Sequence, residues 1–364
     1  MRILMVIPYG TNRSGIEIAT VRLAIQLEKM GYFIEIVEKG ETHVLNDFPI
    51  KGLADILEIE KYLVESCDNY DALHWAGMFE TDDEIISQIA VSEKIYFIYH
   101  KKVTFFLERT GSSIPFNSSS LYERLVRITS KVSVPNLEQK KQIESILLKP
   151  EMVELLPTGV DTEIEFCPIE TQTKLSRRQK LGFGDNWTIG IYAGRFVPRK
   201  GLDLLLGAWS CISKQNTLLI LIGSGFDDPQ STEKQVVNTA KQCGNVAIVP
   251  YTDQVDRSYY YALSDFAIFA GRQEGEPTAL VESMSCGLPI IASNIPGYDK
   301  LVIPKVTGLL FEPENKQELI TCINYLINSP DDRRSFGKNA RSVAVNNRGI
   351  KTIAAKFISL IEQA

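Results

Sequence analysis

This 364-residue sequence lacks three features that would each indicate a particular class of protein. It has no uninterrupted apolar run near the ~18 residues that a membrane-spanning helix needs. Its six cysteines form neither a C-x-x-C pair nor a zinc-binding spacing, which favours reduced thiols in a cytoplasmic protein over a disulfide framework. Its apolar start, residues 1–8, is too short for a signal peptide and predicts a β-strand instead.

An excess of positive charge is also missing, with one local exception. The formal net charge is -6, which argues against a general nucleic-acid-binding protein, because phosphate groups require a basic surface. Residues 101–149 are the exception, with nine lysines and arginines against four glutamates. This segment forms either a solvated face or a patch for an anionic acceptor. The second interpretation would allow weak peripheral contact with the inner face of a membrane.

Two cofactor-binding motifs are absent as well. A nicotinamide-dependent oxidoreductase needs a G-x-G-x-x-G turn after its first strand, and residues 8–15, PYGTNRSG, do not provide one. No D-x-D pair stands where a metal-dependent transferase would hold its metal, although Asp227 and Asp228 are adjacent. We therefore expect neither a nicotinamide cofactor nor a required metal.

Short apolar runs alternate with helical patterns along the chain, which predicts an α/β fold with parallel sheets. Residues 168–187 interrupt this alternation with a polar stretch that contains proline and glycine, so we place a domain boundary there. The predicted domains are 1–167 and 168–345, and an amphipathic helix at 346–364 is expected to cross back onto the first domain. Ligands of open α/β sheets bind outside the carboxyl ends of the strands, which predicts a site in a crevice between the two halves.

The most informative stretch is residues 271–287, GRQEGEPTALVESMSCG, which follows a buried strand and leads into a helix. Glu274 lies on the loop, and Glu282 lies about one turn inside the helix. Pro277 suits the first helical position, where a missing N–H has no cost. The next N–H groups would then be unpaired at a helix N-terminus, an arrangement that binds phosphate. Two carboxylates beside a phosphate are best understood as acceptors for hydroxyl groups, one from a sugar and one from a ribose.

Cationic side chains that could neutralise a diphosphate occur in residues 194–201, GRFVPRKG. Arg195 follows the first strand of the second domain and Lys200 precedes its first helix, so both are expected at the carboxyl edge of the sheet. Two cations there would stabilise the negative charge that grows on a diphosphate as its bond to a sugar breaks. That role would replace a metal ion.

The GRFVPRKG segment and the E-x7-E element together resemble the large family of retaining glycosyltransferases called glycosyl transferases group 1, or family 4. Other segments follow in the family's order: LLPTGVD at 155–161, LIGSG at 221–225, SD at 264–265, GLPIIA at 287–292 and VTGLL at 306–310. The resemblance spans nearly the whole chain and is strongest between residues 153 and 311. It implies the GT-B fold, in which two Rossmann-like domains face each other across a cleft.

The resemblance also implies roles for individual residues. Arg195 and Lys200 would bind the donor diphosphate, Glu274 would face the transferred sugar, and Glu282 would bind the ribose hydroxyls. His100 matches a strand-end histidine near the reacting carbon of the sugar. The implied catalytic residues are thus His100, Arg195, Lys200 and Glu274, and the donor-binding residues further include Gly15, Gly223, Gly275, Glu276, Pro277, Thr278, Ala279 and Glu282.

The implied activity is the metal-independent, retaining transfer of a hexose or N-acetylhexosamine from a nucleoside-diphosphate sugar, with UDP ahead of GDP. The acceptor hydroxyl, bound by the first domain, belongs to a glycan, a lipid-linked or a small-molecule acceptor. In the family's same-face mechanism the departing diphosphate takes the acceptor's proton, so no dedicated base is needed. The sequence shows no obvious paired base.

Some features leave alternatives open. Ser14 replaces one of two glycines usual in the first strand-to-helix loop, and Glu276 stands where the family usually has an aromatic or apolar residue. These departures are the motivation for an alternative, a nucleotide-sugar-binding or regulatory GT-B protein without transfer activity. His74 either belongs to a D-x-x-H element of the family or is a core histidine. His43 lies in a polar loop, and we interpret it as incidental.

Overall fold

The computed structural model describes residues 1–7, 15–78, 102–108, 131–145, 150–225, 228–250, 256–298 and 300–363. The chain divides into two compact units, the first Met1–Gly159 with Arg348–Ala364 and the second Val160–Asn347. Each unit contains a parallel sheet with helices, which confirms the predicted α/β class with two Rossmann-like domains. The structure places the first boundary at Gly159, whereas the sequence analysis placed it at residue 167.

The first unit is built on an eight-stranded sheet. Its strands are β1 Arg2–Ile7, β2 Phe33–Lys39, β3 His43–Leu45, β4 Phe48–Leu53, β5 Ala72–Met78, β6 Lys102–Glu108, β7 Lys131–Val134 and β8 Val153–Leu155. Their order across the sheet is β3-β4-β2-β1-β5-β6-β7-β8, and all neighbours are parallel except β3 and β4. Its described helices are α1 Gly15–Lys29, α2 Ile56–Ser66, α3 Leu137–Glu144 and α11 Ile350–Glu362.

The second unit is built on a six-stranded, fully parallel sheet. Its strands are β9 Thr188–Ala193, β10 Thr217–Gly223, β11 Val246–Pro250, β12 Phe266–Phe269, β13 Ile290–Ser293 and β14 Gly308–Phe311. Its described helices are α4 Thr171–Lys180, α5 Leu202–Trp209, α6 Glu233–Cys243, α7 Arg257–Leu263, α8 Thr278–Ser285, α9 Lys316–Asn328 and α10 Pro330–Arg348.

Strand order in the second sheet determines where a ligand can bind. The order β11-β10-β9-β12-β13-β14 is the doubly wound order, third, second, first, fourth, fifth, sixth. The chain direction across the sheet reverses between β9 and β12, which pair in parallel through Gly190 and Ile191. The loops that follow these two strands diverge there, and the crevice between them is the usual ligand site of such sheets.

Continuous burial explains why these strands are so apolar. All seven residues of β10, TLLILIG, are buried, as are all four residues of β12, FAIF. A parallel sheet has helices on both faces, so its strands carry unbroken apolar runs instead of an alternating pattern. Leu219, Ile220 and Leu221 are fully buried and belong to the core that fills this unit.

The segment predicted as a polar boundary contains helix α4 and lies inside the second unit. Helix α4 has a low mean hydropathy because it is rich in charged side chains. In the folded unit, some of these side chains form ion pairs and hydrogen bonds. Arg178 is buried and donates to Asp265 (Nη2–Oδ2 2.7 Å) and to the carbonyl of Leu263 (2.9 Å). Lys174 also pairs with Asp265 (2.9 Å), which in turn accepts a hydrogen bond from the N–H of Ile189. Asp265 therefore joins α4 to the start of β9.

The C-terminal helix α11 belongs to the first unit. Its apolar face, including Ile353, Ala354 and Phe357, is buried in the same core as residues of β1, β2 and α1, and α11 packs against α1. A Cβ on Gly159 would lie 2.6 Å from Ile350 Cδ1 and 3.1 Å from Ile350 Cα, so the chain before the second unit packs tightly against α11. Within the described part of the chain, no helix has the length and apolarity needed to cross a membrane.

Replacing Asp265 with asparagine should destabilise the second unit. The substitution leaves two cations, Lys174 and Arg178, without their shared carboxylate partner. We expect the free energy of unfolding to fall by about 2–3 kcal/mol, at the low end for a buried ion pair because the Asp265 side chain keeps 16% exposure. Urea unfolding curves measure this change. Asp331→Asn, which removes an exposed pair with Arg334, should leave the midpoint almost unchanged. Equal effects of the two substitutions would contradict the role of Asp265.

Candidate functional site

The loops after β9 and β12 approach each other so closely that only glycine fits between them. Gly201 has a φ of 66°, and a Cβ on it would lie 1.8 Å from the carbonyl oxygen of Ala270, just after β12. A Cβ on Gly223, at the end of β10, would lie 2.0 Å from the carbonyl oxygen of Gly194. These contacts bring the ends of β9, β10 and β12 together and fix the positions of the side chains between them.

Glu274 lies on the loop after β12 and contacts side chains from two other segments. Lys200, at the end of the short 3-10 turn Pro198–Lys200, donates a hydrogen bond to Glu274 Oε2. The Tyr298 hydroxyl donates to the same oxygen at 3.1 Å, and Arg199 Nη1 lies 3.9 Å from the other oxygen. The structure therefore brings together Lys200 and Glu274, two of the predicted catalytic residues.

Burial controls the ionisation of this group. Burial lowers the pKa of the Lys200 ammonium below its usual value of 10.5, and the negative charge of Glu274 opposes that change. Burial and the same carboxylate raise the pKa of Tyr298 well above its usual value, so Tyr298 remains a hydroxyl donor. The carboxylate is thus held by a lysine ammonium and a neutral phenol.

Arg195 lies directly after β9 and Gly194, on the same side of the sheet. Its Nη1 lies 3.3 Å from Asp228 Oδ2, and its side chain keeps 40% exposure. The hydroxyl of buried Tyr192 donates to the Arg195 carbonyl at 3.0 Å, which fixes the backbone from which the guanidinium extends. Asp228, which the sequence analysis considered for metal binding, therefore pairs with a cation.

The N-terminus of α8 differs from the predicted one. The helix begins at Thr278, so Pro277 occupies the capping position and not the first helical position, with a ψ of 61° outside the helical range. The Thr278 N–H donates to the Glu276 carbonyl at 3.0 Å and is not unpaired as predicted. Among the described residues, the Ala279 N–H has no acceptor. Buried Gly275 and Glu276 precede this turn on the loop.

Glu282 lies in the second turn of α8 and is only 1% exposed. Arg257 forms a two-point contact with it, with Nε 3.2 Å from Oε2 and Nη2 2.9 Å from Oε1. The Tyr261 hydroxyl also donates to Oε2, at 3.3 Å. Both partners lie on α7, so the predicted ribose-binding carboxylate is oriented by one neighbouring helix.

Two further predicted residues come from the first part of the chain. Gly15 begins helix α1 of the first unit. His100 lies outside the described residues, so its predicted place near the reacting carbon stays a prediction.

His74 is buried in β5 with its ring edge-on to Phe357 (4.7 Å), and burial lowers its pKa to about 3. His74 therefore packs in the core as a neutral histidine.

Arg272 is a residue that the sequence analysis missed. Its Nη1 donates to the carbonyl of Pro198 at 2.6 Å, and its N–H donates to the carbonyl of Arg199 at 2.7 Å. Two further bonds join its guanidinium to Asp203 (2.9 and 2.8 Å), and Glu314 Oε1 lies 2.7 Å from Nε. Arg272 thus holds the turn that carries Lys200. The only signal in the sequence is its place two residues before Glu274.

Other partners were also missed, for one common reason. They are distant in sequence from the carboxylates they contact, and no spacing rule connects them: Arg257, Tyr261 and Tyr298.

Comparison with known proteins finds a family match in the second unit. Residues 174–343 match the family model described as glycosyl transferases group 1. This part of the second unit is therefore similar to group 1 glycosyltransferases. The match includes all the second-unit site residues above, from Arg195 to Glu282.

Curated relatives agree with the family. The chain is 26% identical over 238 residues to a lipopolysaccharide 1,2-N-acetylglucosaminetransferase of Salmonella typhimurium, covering 62% of each chain. It is 29% identical over 198 residues to a GDP-mannose-dependent monoacylated alpha-(1-6)-phosphatidylinositol monomannoside mannosyltransferase of Corynebacterium glutamicum, covering 52% of this chain and 50% of that protein. The chain thus matches between half and 62% of the length of these relatives.

Solved structures confirm the fold over the whole chain. The crystal structure of Anabaena Alr3699/HepE in complex with UDP-glucose superposes with a TM-score of 0.81 at 19% identity, covering 100% of both chains. At this identity the similarity shows the fold alone. It confirms the predicted GT-B class of two Rossmann-like domains.

Replacing Arg272 with glutamine should loosen the turn that carries Lys200. The variant loses the hydrogen bonds that join the guanidinium to the Pro198 carbonyl and to Asp203. We expect the amides of Lys200 and Gly201 to exchange hydrogen about five- to ten-fold faster, which corresponds to roughly 1 kcal/mol for a half-exposed contact. Hydrogen-exchange mass spectrometry of the peptide over 196–202 measures this rate. Arg334→Gln, on the exposed surface, should leave it unchanged, and equal exchange in both variants would exclude the positioning role.

Proposed function

We propose that this protein is a retaining glycosyltransferase. It moves a hexose or N-acetylhexosamine from a nucleoside-diphosphate sugar to a hydroxyl acceptor, without a metal ion. The observation that carries the proposal is the contact of Lys200 with Glu274 at the switch point of a unit that is similar to group 1 glycosyltransferases. This is where open α/β sheets bind nucleotides.

The charges of the site suit a diphosphate. Arg195, Arg199 and Lys200 supply three positive charges, and Glu274 and Asp228 supply two negative charges, so these five side chains sum to +1. A diphosphate that contacts Arg195 and Lys200 would take the place of their carboxylate partners. The negative charge that develops on the departing diphosphate is then stabilised by groups already in position.

The two glutamates are proposed to bind the rest of the donor. Once Lys200 contacts phosphate, the oxygens of Glu274 accept hydrogen bonds from sugar hydroxyls, while Tyr298 keeps the carboxylate in place. Glu282, oriented by Arg257 and Tyr261, accepts from the ribose hydroxyls. The loop of Gly275 to Ala279, which includes Glu276, Pro277 and Thr278, provides backbone groups for sugar hydroxyls and the distal phosphate, and Gly223 borders the nucleotide.

UDP is the proposed nucleotide, with GDP the second choice. The Anabaena protein of the same fold was crystallised with UDP-glucose, and the Corynebacterium relative is named for GDP-mannose. The name of the Salmonella relative states transfer of N-acetylglucosamine, in line with a hexose or N-acetylhexosamine donor.

The proposed reaction needs no base from the protein. The acceptor oxygen forms a bond to the anomeric carbon on the face from which the diphosphate leaves. The bond between that carbon and the diphosphate oxygen breaks, and this oxygen takes the acceptor's proton. The products are a glycoside with retained configuration and a nucleoside diphosphate. His100 is proposed to lie near the reacting carbon, and Gly15 near the donor phosphate.

The first unit is proposed to bind the acceptor, a glycan, a lipid-linked or a small-molecule hydroxyl compound. A cytoplasmic location with weak membrane contact through residues 101–149 agrees with a lipid-linked acceptor. Both the Salmonella and the Corynebacterium relatives carry names that include a glycolipid.

Substitution of the two proposed phosphate ligands tests the activity directly. In Lys200→Ala or Arg195→Ala, release of nucleoside diphosphate from the sugar donor should fall at least about 100-fold, because charge stabilisation of the leaving group is lost. Lys234→Ala, an exposed lysine on α6, is the matched control and should keep full activity. The measurement is donor turnover with UDP- and GDP-sugars across an acceptor panel, with magnesium and with a chelator.

Ligand binding separates the two candidate functions. UDP at about a hundred times its dissociation constant should stabilise the protein by roughly 2.7 kcal/mol, a shift visible in thermal unfolding. Stabilisation without turnover or slow donor hydrolysis would support the non-transferring alternative. Stabilisation by no nucleoside diphosphate would overturn the donor site itself.

A pH profile tests the ionisation of Lys200. Because burial lowers the pKa of Lys200, its positive charge is complete only below that pKa and is lost as the pH rises through it. UDP affinity should therefore fall on the alkaline side before pH 10.5 is reached. In Lys200→Arg this loss should disappear, since a guanidinium stays charged throughout this range. Calorimetric titration with UDP from about pH 7.5 to about pH 10 gives the ratio of the UDP affinities of the parent and Lys200→Arg. A ratio that does not change with pH would contradict the prediction.

A further inference from the structure

Three side chains from separate elements of the first unit lie close together. Glu17 lies in the first turn of α1, Glu38 near the end of β2, and His43 at the start of β3. One ligand atom from each, a carboxylate oxygen or an imidazole nitrogen, lies within 4.8 Å of the other two. We had expected His43 to be incidental in a polar loop, but the structure places it between two buried carboxylates.

The hydrogen bonds of His43 determine which nitrogen is available. Nδ1 lies 3.0 Å from the carbonyl oxygen of Glu41, which can only accept, so Nδ1 carries the hydrogen. In the neutral ring Nε2 then presents a lone pair, and it faces Glu17 Oε1 at 3.4 Å. Two acceptors in contact require a proton or a cation between them.

Glu38 provides an independent observation. The residue is 1% exposed, and its Oε1 accepts no hydrogen bond although it lies 3.3 Å from His43 Nδ1. Among the described residues, His43 is its only ion-pair partner. Burying a carboxylate oxygen without a hydrogen-bond donor costs free energy. A cation bound beside this oxygen would remove that cost.

We propose that Glu17, Glu38 and His43 form a binding site for a divalent transition-metal cation of the zinc type. A dication with two carboxylates and a neutral imidazole sums to zero, so these three side chains balance its charge. No other described charge balances Glu38.

Ligand chemistry selects the zinc type. Tetrahedral zinc with bonds of ~2.1 Å separates its ligand atoms by roughly 3.4 Å, and Glu17 Oε1 lies 3.4 Å from His43 Nε2. An imidazole ligand disfavours magnesium and calcium, which prefer oxygen. The bond from Nδ1 to the Glu41 carbonyl is the kind of support that orients a metal-binding histidine through its second nitrogen.

The site would join three elements that are otherwise connected by loops. It lies where α1 begins and β2 ends, at the carboxyl edge of the first sheet, and it includes the edge strand β3. A bound cation would therefore stabilise this unit. The proposal does not depend on the transferase activity, and none of the three ligands is a proposed donor-binding residue.

Zinc binding by the full chain, free of any affinity tag, tests the proposal. Protein that is first stripped with a chelator and then incubated with zinc should retain about one zinc per chain after gel filtration. Competition with a chromophoric chelator should show affinity at least ten-fold lower in Glu38→Gln and in His43→Gln. Glu41→Gln is the matched control: its exposed side chain changes, its carbonyl remains, and its affinity should equal that of the parent.

Thermal unfolding supplies a second readout. Zinc should raise the unfolding temperature of the parent and of Glu41→Gln, but not that of Glu38→Gln, which removes a buried charge while keeping the shape of the side chain. Equal zinc affinity in parent, Glu38→Gln and His43→Gln, or no retained zinc in the parent, would overturn the proposal. UDP stabilisation, measured in parallel, should be the same in all four proteins, so failure of the zinc site and failure of the donor site are distinguished.

Discussion

The close approach of Gly201 to Ala270 is the constraint on which the proposed donor site depends. A side chain at residue 201 would collide with a carbonyl oxygen at 1.8 Å, so the loops after β9 and β12 can meet only if this residue is glycine. That contact places Lys200 beside Glu274, and Arg272 reinforces it by binding the Pro198 and Arg199 carbonyls. Backbone packing at a reversal of strand order thus determines the position of the side chains proposed to bind phosphate.

Sequence reasoning predicted what periodicity and turn residues encode. The α/β class was predictable because parallel strands covered on both faces are continuous apolar runs, as in β10. Helix α4 was missed because its composition is that of a solvated loop. Its cations are explained only by Asp265, 87 residues from Arg178, and no local pattern reports such a partner.

The same limit applies to the site. Motif spacing selected Arg195, Lys200, Glu274 and Glu282, and the structure shows that Lys200 and Glu274 meet. Spacing could not select Arg257 or Tyr298, because their relation to the glutamates exists only after folding. Sequence reasoning also misplaced Pro277 by one position. Proline suits the first helical position, but here it occupies the capping position just before the helix.

The structure also resolves why two glutamates are compatible with an anionic ligand. Each carboxylate has a cation of its own: Glu274 contacts Lys200, and Glu282 holds Arg257 by two bonds. The glutamates therefore add little net negative charge to the site, and their remaining effect is directional, since a carboxylate oxygen accepts hydrogen bonds from hydroxyls. Because Lys200 is shared between Glu274 and the proposed phosphate, arrival of a diphosphate would release carboxylate oxygens for the sugar. Phosphate binding and sugar recognition would then be coupled through one ammonium group.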